Sequence, residues 1–361
     1  MPFDIFKKIS ENVLGVDIGT FSIKVVEISK FGSQVNLENY GSVKSYDFLS
    51  NPFRNFDEKR AVNIAVDDTV NAIKAILKEA KIESRKAIFS IPDFSTFFTW
   101  FSLPPLNEEE IPTAVEFEAR KYVPVPLSEV TLDWEIIEKK KNKNGIESKI
   151  LLAAVSNEII KQYQEIASLC GLKLLALESE VFALSRIFST SYKEAIGILV
   201  DFGATTTTIN IVYDSALQRT YSLDLSGNDI TKKLMDKFGI DNPLKAEELK
   251  YRIGIKADRK RSSINAVVSE IMPFVEELAD NIEKVYNDFY NTEKKSISKV
   301  FLSGGSSLLP GLKEFLFKKL GKEVIIVNGP LSVKHNEFLD SILEEKGVFY
   351  NVALGVAARE I

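Results

Sequence analysis

The sequence predicts an α/β protein of two related lobes, with a small α+β subdomain inserted into the first. Three observations carry this. Short apolar, β-branched runs alternate with helical periodicities along most of the chain. One strand–turn–strand pattern occurs twice, once in each half. Between the two copies, residues 93–149 break the alternation with a segment of different character.

At ~100–200 residues per domain, 361 residues suggest two or three domains. A chain that is 45% hydrophobic and 27% charged is not wholly disordered. The formal charge of −5 argues against nucleic acid as the main partner, because such footprints are strongly basic. One cysteine (Cys170) and one histidine (His335) exclude an intrachain disulfide and any multi-Cys or multi-His metal site. A lone cysteine fits a reducing compartment. The longest apolar runs, such as 151–155 and 198–200, fall far short of the ~18 residues of a membrane span. The N-terminus lacks the apolar core of a signal peptide. Residues 2–10 read as a short amphipathic helix, with Phe3, Ile5, Phe6 and Ile9 beside Lys7 and Lys8. It would cap the core or touch a membrane-bound partner.

Residues 14–17 and 23–29 form a β-hairpin around a Gly/Thr/Ser turn, and 35–40 add a strand. Residues 58–81 are helical, with Val62, Val66, Val70, Ile73, Leu77 and Ala80 at three-to-four spacing. Residues 86–91 are a strand stopped by Pro92. The inserted segment opens with a strand dense in aromatics: Phe94, Phe97, Phe98, Trp100 and Phe101. A helix follows, with Asn107 and Glu110 as a capping-box pair. After Pro124 and Pro126 comes a strand at 130–137. A Lys/Asn-rich loop then ends in Asn144-Gly145, a hairpin signal, before 150–155. Asn157 reads as the N-cap of a helix carrying Ile160, Tyr163, Ile166 and Ala167, and Gly171 as its stop. The second half restarts with strands at 195–201 and 209–213. A long helix at 268–290, a strand at 299–302 and helices at 310–320 and 353–359 follow.

The repeat carries the chemistry. Gly15-Val16-Asp17-Ile18-Gly19-Thr20-Phe21-Ser22 matches Leu199-Val200-Asp201-Phe202-Gly203-Ala204-Thr205-Thr206 in form. Each is an apolar strand, then Asp-x-Gly, then hydroxyl residues, then another strand. Glycine lets the backbone approach a phosphate closely. Turn N–H groups and hydroxyls then donate to phosphate oxygens. Mg²⁺ keeps several waters and is held through one or two carboxylates plus phosphates, so Asp17 and Asp201 would hold those waters from two sides. Lys24, seven residues past Asp17, would return along the second strand to neutralise a phosphate.

A third element suits a base. In Val300-Phe301-Leu302-Ser303-Gly304-Gly305-Ser306 a strand ends in Gly-Gly before a helix, which lets a flat ring such as adenine lie against the backbone. Neither a G-x-G-x-x-G fingerprint after a strand nor a G-x-x-x-x-G-K-[ST] loop occurs.

On these residues the chain resembles the actin-like ATPase superfamily. Asp17–Lys24 looks like its first phosphate loop, Asp201–Thr206 like its second and Leu302–Ser306 like its adenosine motif. Within it, the chain resembles the PilM family of type IV pilus assembly nearly end to end. The resemblance includes Glu116-Phe117-Glu118-Ala119-Arg120-Lys121-Tyr122-Val123-Pro124-Val125-Pro126, Ser226-Gly227-Asn228-Asp229-Ile230-Thr231 and Asn351-Val352-Ala353-Leu354-Gly355-Val356-Ala357. It implies an actin-like ATPase fold, two lobes around a nucleotide cleft, with a subdomain inserted in the first lobe as in FtsA. The first lobe would take 1–92 and 150–195, and the insertion 93–149. The second would take 196–225 and 297–345, with a helical adenosine-side part at 226–296. Residues 346–361 would return to the first lobe.

The resemblance further implies roles. The cofactors would be ATP and Mg²⁺, with Asp17 and Asp201 on the metal. Gly19, Thr20, Phe21, Ser22, Lys24, Gly203, Ala204, Thr205 and Thr206 would surround the phosphates. Gly304, Gly305 and Ser306 would face the adenosine. Glu247 and Lys250 would reach ribose and adenine, with Gly227 and Asn228 near the nucleotide. Glu180 aligns with the position that orients the attacking water, or is a structural or magnesium-side carboxylate. Phe21 stands where small residues are common and would narrow the phosphate pocket. With no arginine finger in view, hydrolysis would be slow, well below the ~10 s⁻¹ enzyme median.

The implied function is a cytoplasmic scaffold at the inner face of the membrane that holds the tail of a PilN-like inner-membrane protein. Contacts with other pilus components and self-association belong to the same expectation. The peptide groove is expected between the first lobe and the insertion, at the aromatic strand and Tyr122-Val123-Pro124. Alternatives are a scaffold of a related secretion system, an FtsA-like filament-forming division protein and a small-molecule kinase. The FtsA-like reading expects a linker and a C-terminal amphipathic helix, whereas this sequence ends after 353–359. The kinase reading expects a base Asp aimed at a substrate hydroxyl, and none stands out. The basic run Lys139-Lys140-Lys141-Asn142-Lys143 reads as a solvated turn, with lipid or partner contact as the alternative.

Overall fold

The computed structural model describes residues 12–32, 34–45, 65–143, 145–192, 196–214, 216–256 and 262–360. The amphipathic helix expected at 2–10 and the first part of the helix expected at 58–81 lie outside them.

Two five-stranded sheets share one topology. The first runs β3 (Gln34–Lys44), β2 (Ser22–Phe31), β1 (Val13–Ile18), β4 (Lys86–Ile91) and β8 (Lys173–Ser179). The second runs β11 (Ala216–Leu223), β10 (Thr207–Tyr213), β9 (Ile196–Phe202), β12 (Lys299–Ser303) and β13 (Glu323–Ile326). In each, the first three strands are an antiparallel meander and the next two join in parallel. The repeat read from eight residues thus extends to whole sheets. Three strands of this repeat, β8, β11 and β13, were missing from the sequence reading. They sit at sheet edges, where burial is partial: β8 and β11 are half-buried over much of their length and β13 is four residues long.

Helices cover the sheets. Against the first pack α1 (Val66–Glu79), α3 (Asn157–Leu169) and α4 (Glu180–Ser191). Along α1, Val70, Ile73 and Leu77 are buried, and Gly41 on β3 lets Ile76 approach closely. The second sheet carries α5 (Gly227–Phe238), α6 (Pro243–Ile253), α7 (Ser262–Glu293) and α8 (Leu312–Leu320). Ile271, Val275, Leu278, Ile282, Val285 and Phe289 form the buried stripe of α7. Two caps differ from expectation. Ser156, not Asn157, caps α3, its Oγ accepting from the Glu158 N–H. The Asn157 side chain instead bonds Ser128 O and Thr131. The capping box is one-sided: Glu110 accepts from the Asn107 N–H at 2.8 Å, and α2 begins only at Ile111 (Ile111–Tyr122).

The insertion is a three-stranded antiparallel sheet ordered β5 (Thr96–Leu103), β7 (Gly145–Ser156), β6 (Val130–Asn142), with α2 on one face. Its core holds Phe101, Leu103, Ile111, Val115, Ala119, Ile150 and Leu152. On the other face Phe98, Trp100 and Leu151 meet Val181 and Phe182 of α4 and Leu217 of β11. The insertion therefore touches both sheets.

The short α9 (Asp340–Lys346) precedes α10 (Asn351–Ala357), which is buried along its whole length. Gly15 and Gly355 make room for it. A Cβ on Gly15 would lie 1.8 Å from Ala353 O, and one on Gly355 2.4 Å from Ala183 O. From its first turn Asn351 reaches the second sheet, donating to Ser303 Oγ and Val327 O and accepting from the Gly329 N–H. One helix thus holds both sheets. Among the described residues, no helix is long and apolar enough to cross a membrane.

Candidate functional site

The two Asp-x-Gly turns face each other where the sheets meet. Both are closed by the same bond: Gly19 N–H donates to Ser22 O at 3.2 Å, and Gly203 N–H to Thr206 O at 3.0 Å. The loops touch through the Thr20 and Thr205 hydroxyls, 2.8 Å apart. Each aspartate leans on a serine from the parallel neighbouring strand. Ser90 Oγ donates to Asp17 Oδ1 at 2.9 Å, and Ser303 stands beside Asp201 in register. Lys24, opposite Asp17 in the hairpin register, donates to its Oδ2 at 2.8 Å.

Between the loops lies a cavity of about 590 Å³, a size suited to a small ligand. Its wall includes Asp17, Gly19, Thr20, Phe21, Ser22, Lys24, Glu180, Asp201, Gly203, Ala204, Thr205, Thr206, Glu247, Lys250, Gly304, Gly305 and Ser306. Gly227 and Asn228 are behind it. Their N–H groups, at the start of α5, donate to Gly203 O and Ala204 O and so brace the second loop. The Lys250 ammonium is buried and bound to Gly227 O, Thr231 Oγ1 and Glu247, which leaves Glu247 as the more open partner of the pair. Gly304 must be glycine: its φ is +78° and a Cβ would fall 2.6 Å from Asp201 Oδ1. The ring lying on Gly305 is the protein's own Phe349, which, with Tyr251 and Lys346, lines this part of the cavity.

The acid groups are strained by proximity. Burial, then Asp17, pushes the Asp201 carboxyl up to about 6, against the pull of Lys24 and Ser303. Burial, followed by Asp17, Asp93 and Asp201, drives Glu180 well above the usual carboxylate range. Burial alone would lower Lys24, but Asp17, Glu180 and Asp201 outweigh it and raise its pKa. Asp201 Oδ1 is buried with no hydrogen-bond partner. Such an orphan oxygen among like charges fits a hydrated cation. Among the described residues, no three His, Cys, Asp or Glu side chains converge as a directly ligating metal cluster.

The sequence reading missed Ser90, Asp93 and Ser45. Ser45 fastens the first loop from the end of β3: its N–H donates to Phe21 O at 2.9 Å and its hydroxyl to Thr20 O. Ser90 was legible in principle, since Phe89-Ser90 and Leu302-Ser303 occupy the same place in the two repeats.

A second cavity, about 560 Å³, lies between the insertion and α4. Asp133, Trp134 and Glu135 of β6 and Leu151, Ala153 and Val155 of β7 form one wall. Leu177, Ser179, Phe182, Ser185 and Arg186 form the other. Of the aromatic strand β5 only Thr96 reaches it. Phe98 and Trp100 turn toward β11, and Tyr122 stacks on Phe101 at 5.5 Å, because the central position in the small sheet belongs to β7. At its base Arg186 grips Glu178 through both Nη atoms, at 2.7 and 2.8 Å, and donates to Gly355 O of α10.

Known proteins agree with this architecture. The cell division protein FtsA of Enterococcus hirae is 24% identical over 361 residues, covering 89% of this chain and 78% of that protein. A solved PilM–PilN type IV pilus biogenesis complex matches with a TM-score of 0.80 at 24% identity, over 96% of this chain and 98% of that one. The ethanolamine utilization protein EutJ of Carboxydothermus hydrogenoformans matches with a TM-score of 0.52 at 17% identity, over 96% and 89%. The fold is that of the actin-like ATPases. The family model described as type IV pilus assembly protein PilM covers residues 15–361. The chain belongs to the PilM family of type IV pilus assembly proteins.

Proposed function

We propose that this protein is an ATP-binding scaffold of type IV pilus assembly, held at the cytoplasmic face of the membrane by the tail of a PilN-like inner-membrane protein. One observation carries the nucleotide reading: two equivalent Asp-x-Gly loops meet over a cavity in which Asp201 Oδ1 has no partner. The loops at Gly19–Ser22 and Gly203–Thr206 would donate to the phosphates, and Lys24 would neutralise them. Asp17 and Asp201 would hold the waters of Mg²⁺, which supplies positive charge to the phosphates when bound. Glu247 would meet the ribose. Glu180 would orient water. Among the described residues, no arginine lines the cavity, so charge developing on a transferring phosphoryl group lacks a finger and turnover is slow.

The groove between β6–β7 and α4 is our candidate for the PilN-like tail. It offers apolar anchors at Leu151, Val155 and Phe182, with a polar rim of Asp133 and Glu135 and the Arg186–Glu178 pair at its base. The name of the solved PilM–PilN complex supports such a partner in the family.

Two measurements test the reading. ATP with Mg²⁺ at a hundredfold excess over Kd should stabilise the protein by ~2.7 kcal/mol in thermal unfolding. No shift at millimolar ATP defeats the nucleotide assignment. Ala153→Trp, which fills the groove, should weaken a labelled PilN-like tail peptide at least about tenfold, or ~1.4 kcal/mol, while the ATP shift stays. Full peptide affinity in that variant puts the partner elsewhere.

A further inference from the structure

The Gly-Gly surface expected to carry a flat base is already covered. A Cβ built on Gly305 would lie 2.8 Å from Phe349 Cε1 and 3.5 Å from its Cδ1, so the ring rests against the glycine itself. A base lying directly on Gly305 would need the space that Phe349 fills. Phe349 is half-buried, and it lines the cavity.

The backbone under Phe349 is fixed on both sides. Phe349 belongs to the single turn Gly347–Tyr350 that leads into α10. Val348 and Tyr350 are buried. The Tyr350 hydroxyl donates to Ser42 Oγ at 3.0 Å, and its ring meets Tyr40 edge-on at 5.2 Å. A Cβ on Gly347 would fall 2.0 Å from Asn328 Oδ1, so that end is packed as tightly. Next in the chain, Asn351 is held by Ser303 and Val327. One turn thus sets Tyr350 on the first sheet and Phe349 on the Gly304-Gly305 loop of the second.

The two ends of the cavity differ in unmet polar groups. Of the described residues that line it, Asp201 alone keeps a buried side-chain polar atom without a partner, and that atom lies between the two loops. Near Phe349 the buried groups satisfy one another. The Lys250 ammonium is bound to Gly227 O, Thr231 Oγ1 and Glu247, and lies 5.0 Å from the centre of the Tyr251 ring. The Tyr251 phenol sits against Ser306, whose Oγ donates to Gly203 O at 3.2 Å. Lys346 is exposed, and an ammonium donates to a ring nitrogen or a carbonyl oxygen alike. No buried side chain is therefore left here to read the edge of a base. An aromatic ring reads the face instead, and stacking tolerates whatever substituents the base carries.

We propose that Phe349 is the platform on which the base stacks, and that the cavity accepts purine nucleoside triphosphates as a class, adenine and guanine alike. This rests on the nucleotide reading given above and names its substrate class. A site built to hydrogen-bond the edge of its ligand rejects the wrong one by about 10⁴-fold or more, whereas an apolar surface discriminates far less.

The test is calorimetric titration of the full chain with ATP, GTP and tripolyphosphate, each with Mg²⁺. Tripolyphosphate engages the loops and has no base. In the wild type, ATP and GTP bind within about fivefold of each other. Phe349→Ala weakens both by about fivefold or more, the low end of ring–base stacking, and leaves tripolyphosphate within about twofold. Phe349→Tyr keeps the wild-type affinities. Should Phe349→Ala fail to fold, Phe349→Leu keeps apolar bulk without an aromatic face and shows the same selective loss. Rejection of GTP by more than about a hundredfold overturns the proposal. So does ATP affinity that is unchanged or tighter without the ring, or a loss that tripolyphosphate shares equally. A wild type that binds neither the triphosphates nor tripolyphosphate overturns the nucleotide reading itself, and this proposal with it.

Discussion

The hydroxyls of Thr20 and Thr205 meet at 2.8 Å although 185 residues separate them in the chain. They are the point where two copies of one turn touch, and phosphates bound between the loops, as proposed, would part them. Removing one hydroxyl deletes a hydrogen bond with a net worth of ~0.5–1.5 kcal/mol. In the nucleotide-bound state the same hydroxyl would face a phosphate. Thr205→Val should therefore lower the stability of the free protein by about 1 kcal/mol and weaken ATP binding as well. Melting curves with and without ATP check this. An equal loss in both conditions would mean that the hydroxyl never meets the nucleotide.

The glycines around α10 set a sharp contrast. Gly15→Ala would drive a Cβ to 1.8 Å from Ala353 O, a backbone atom held by a fully buried helix. We expect a loss of more than about 3 kcal/mol, beyond ordinary overpacking. Gly171→Ala meets nothing within 4 Å but keeps φ at +69°, so it should cost about 1 kcal/mol through backbone strain. Urea titration of both variants checks the order; similar losses would show that α10 can slide.

Arg186 holds Glu178 in two-pronged contact beneath the groove. The Glu178 side chain is 6% exposed and Arg186 27% exposed, with Arg359 at 3.8 Å as a distant second cation. Arg186→Ala should destabilise by about 2 kcal/mol, less than the ~3–5 of a fully buried pair. Arg186→Lys should recover little, since an ammonium cannot span both oxygens. Recovery of wild-type stability by lysine would show that charge alone is needed.

His335 supplies a pH dependence. Its Nδ1 lies 2.7 Å from Val333 O and its Nε2 2.8 Å from Asp340 Oδ1, so only the imidazolium donates at both ends. Burial lowers its pKa, but Val333 O and Asp340 outweigh that and raise it above 6.5. With the folded value raised, the stabilisation is fully present below pH 6.5 and is lost as pH rises through the folded value. The adjoining Lys334 pairs through its backbone with Val35 and Leu37, joining this segment to the edge of β3. His335→Gln should cost about 0.5 kcal/mol at pH 6 and nothing at pH 9. A difference that is the same at both pH values would rule out the charged form as its source.

Much of this site was readable in one dimension because its key turns are local. Asp17, Gly19 and Lys24 fall within one hairpin, as do Asp201, Gly203 and Thr206, and a tight turn beside a phosphate demands those residue types wherever it occurs. The apolar runs of β1, β4 and β9 were equally plain because these strands are buried on both faces, and the period of α7 because it buries one continuous stripe against a core. What the sequence could not convey was pairing between distant segments. The serine beneath Asp17 comes from β4, the clasp on Glu180 from Asp93 at the root of the insertion, and the brace of the second loop from the start of α5. The aromatic strand β5 drew attention by its rings, yet its neighbour β7 took the wall of the groove, since strand order is settled by hydrogen bonding between strands and not by composition. Local turn chemistry determined which residues face the cavity between the loops. Only the tertiary structure decided that this cavity and the groove share one thin wall, because that wall is built from chain ends that meet only when both sheets and the insertion have packed.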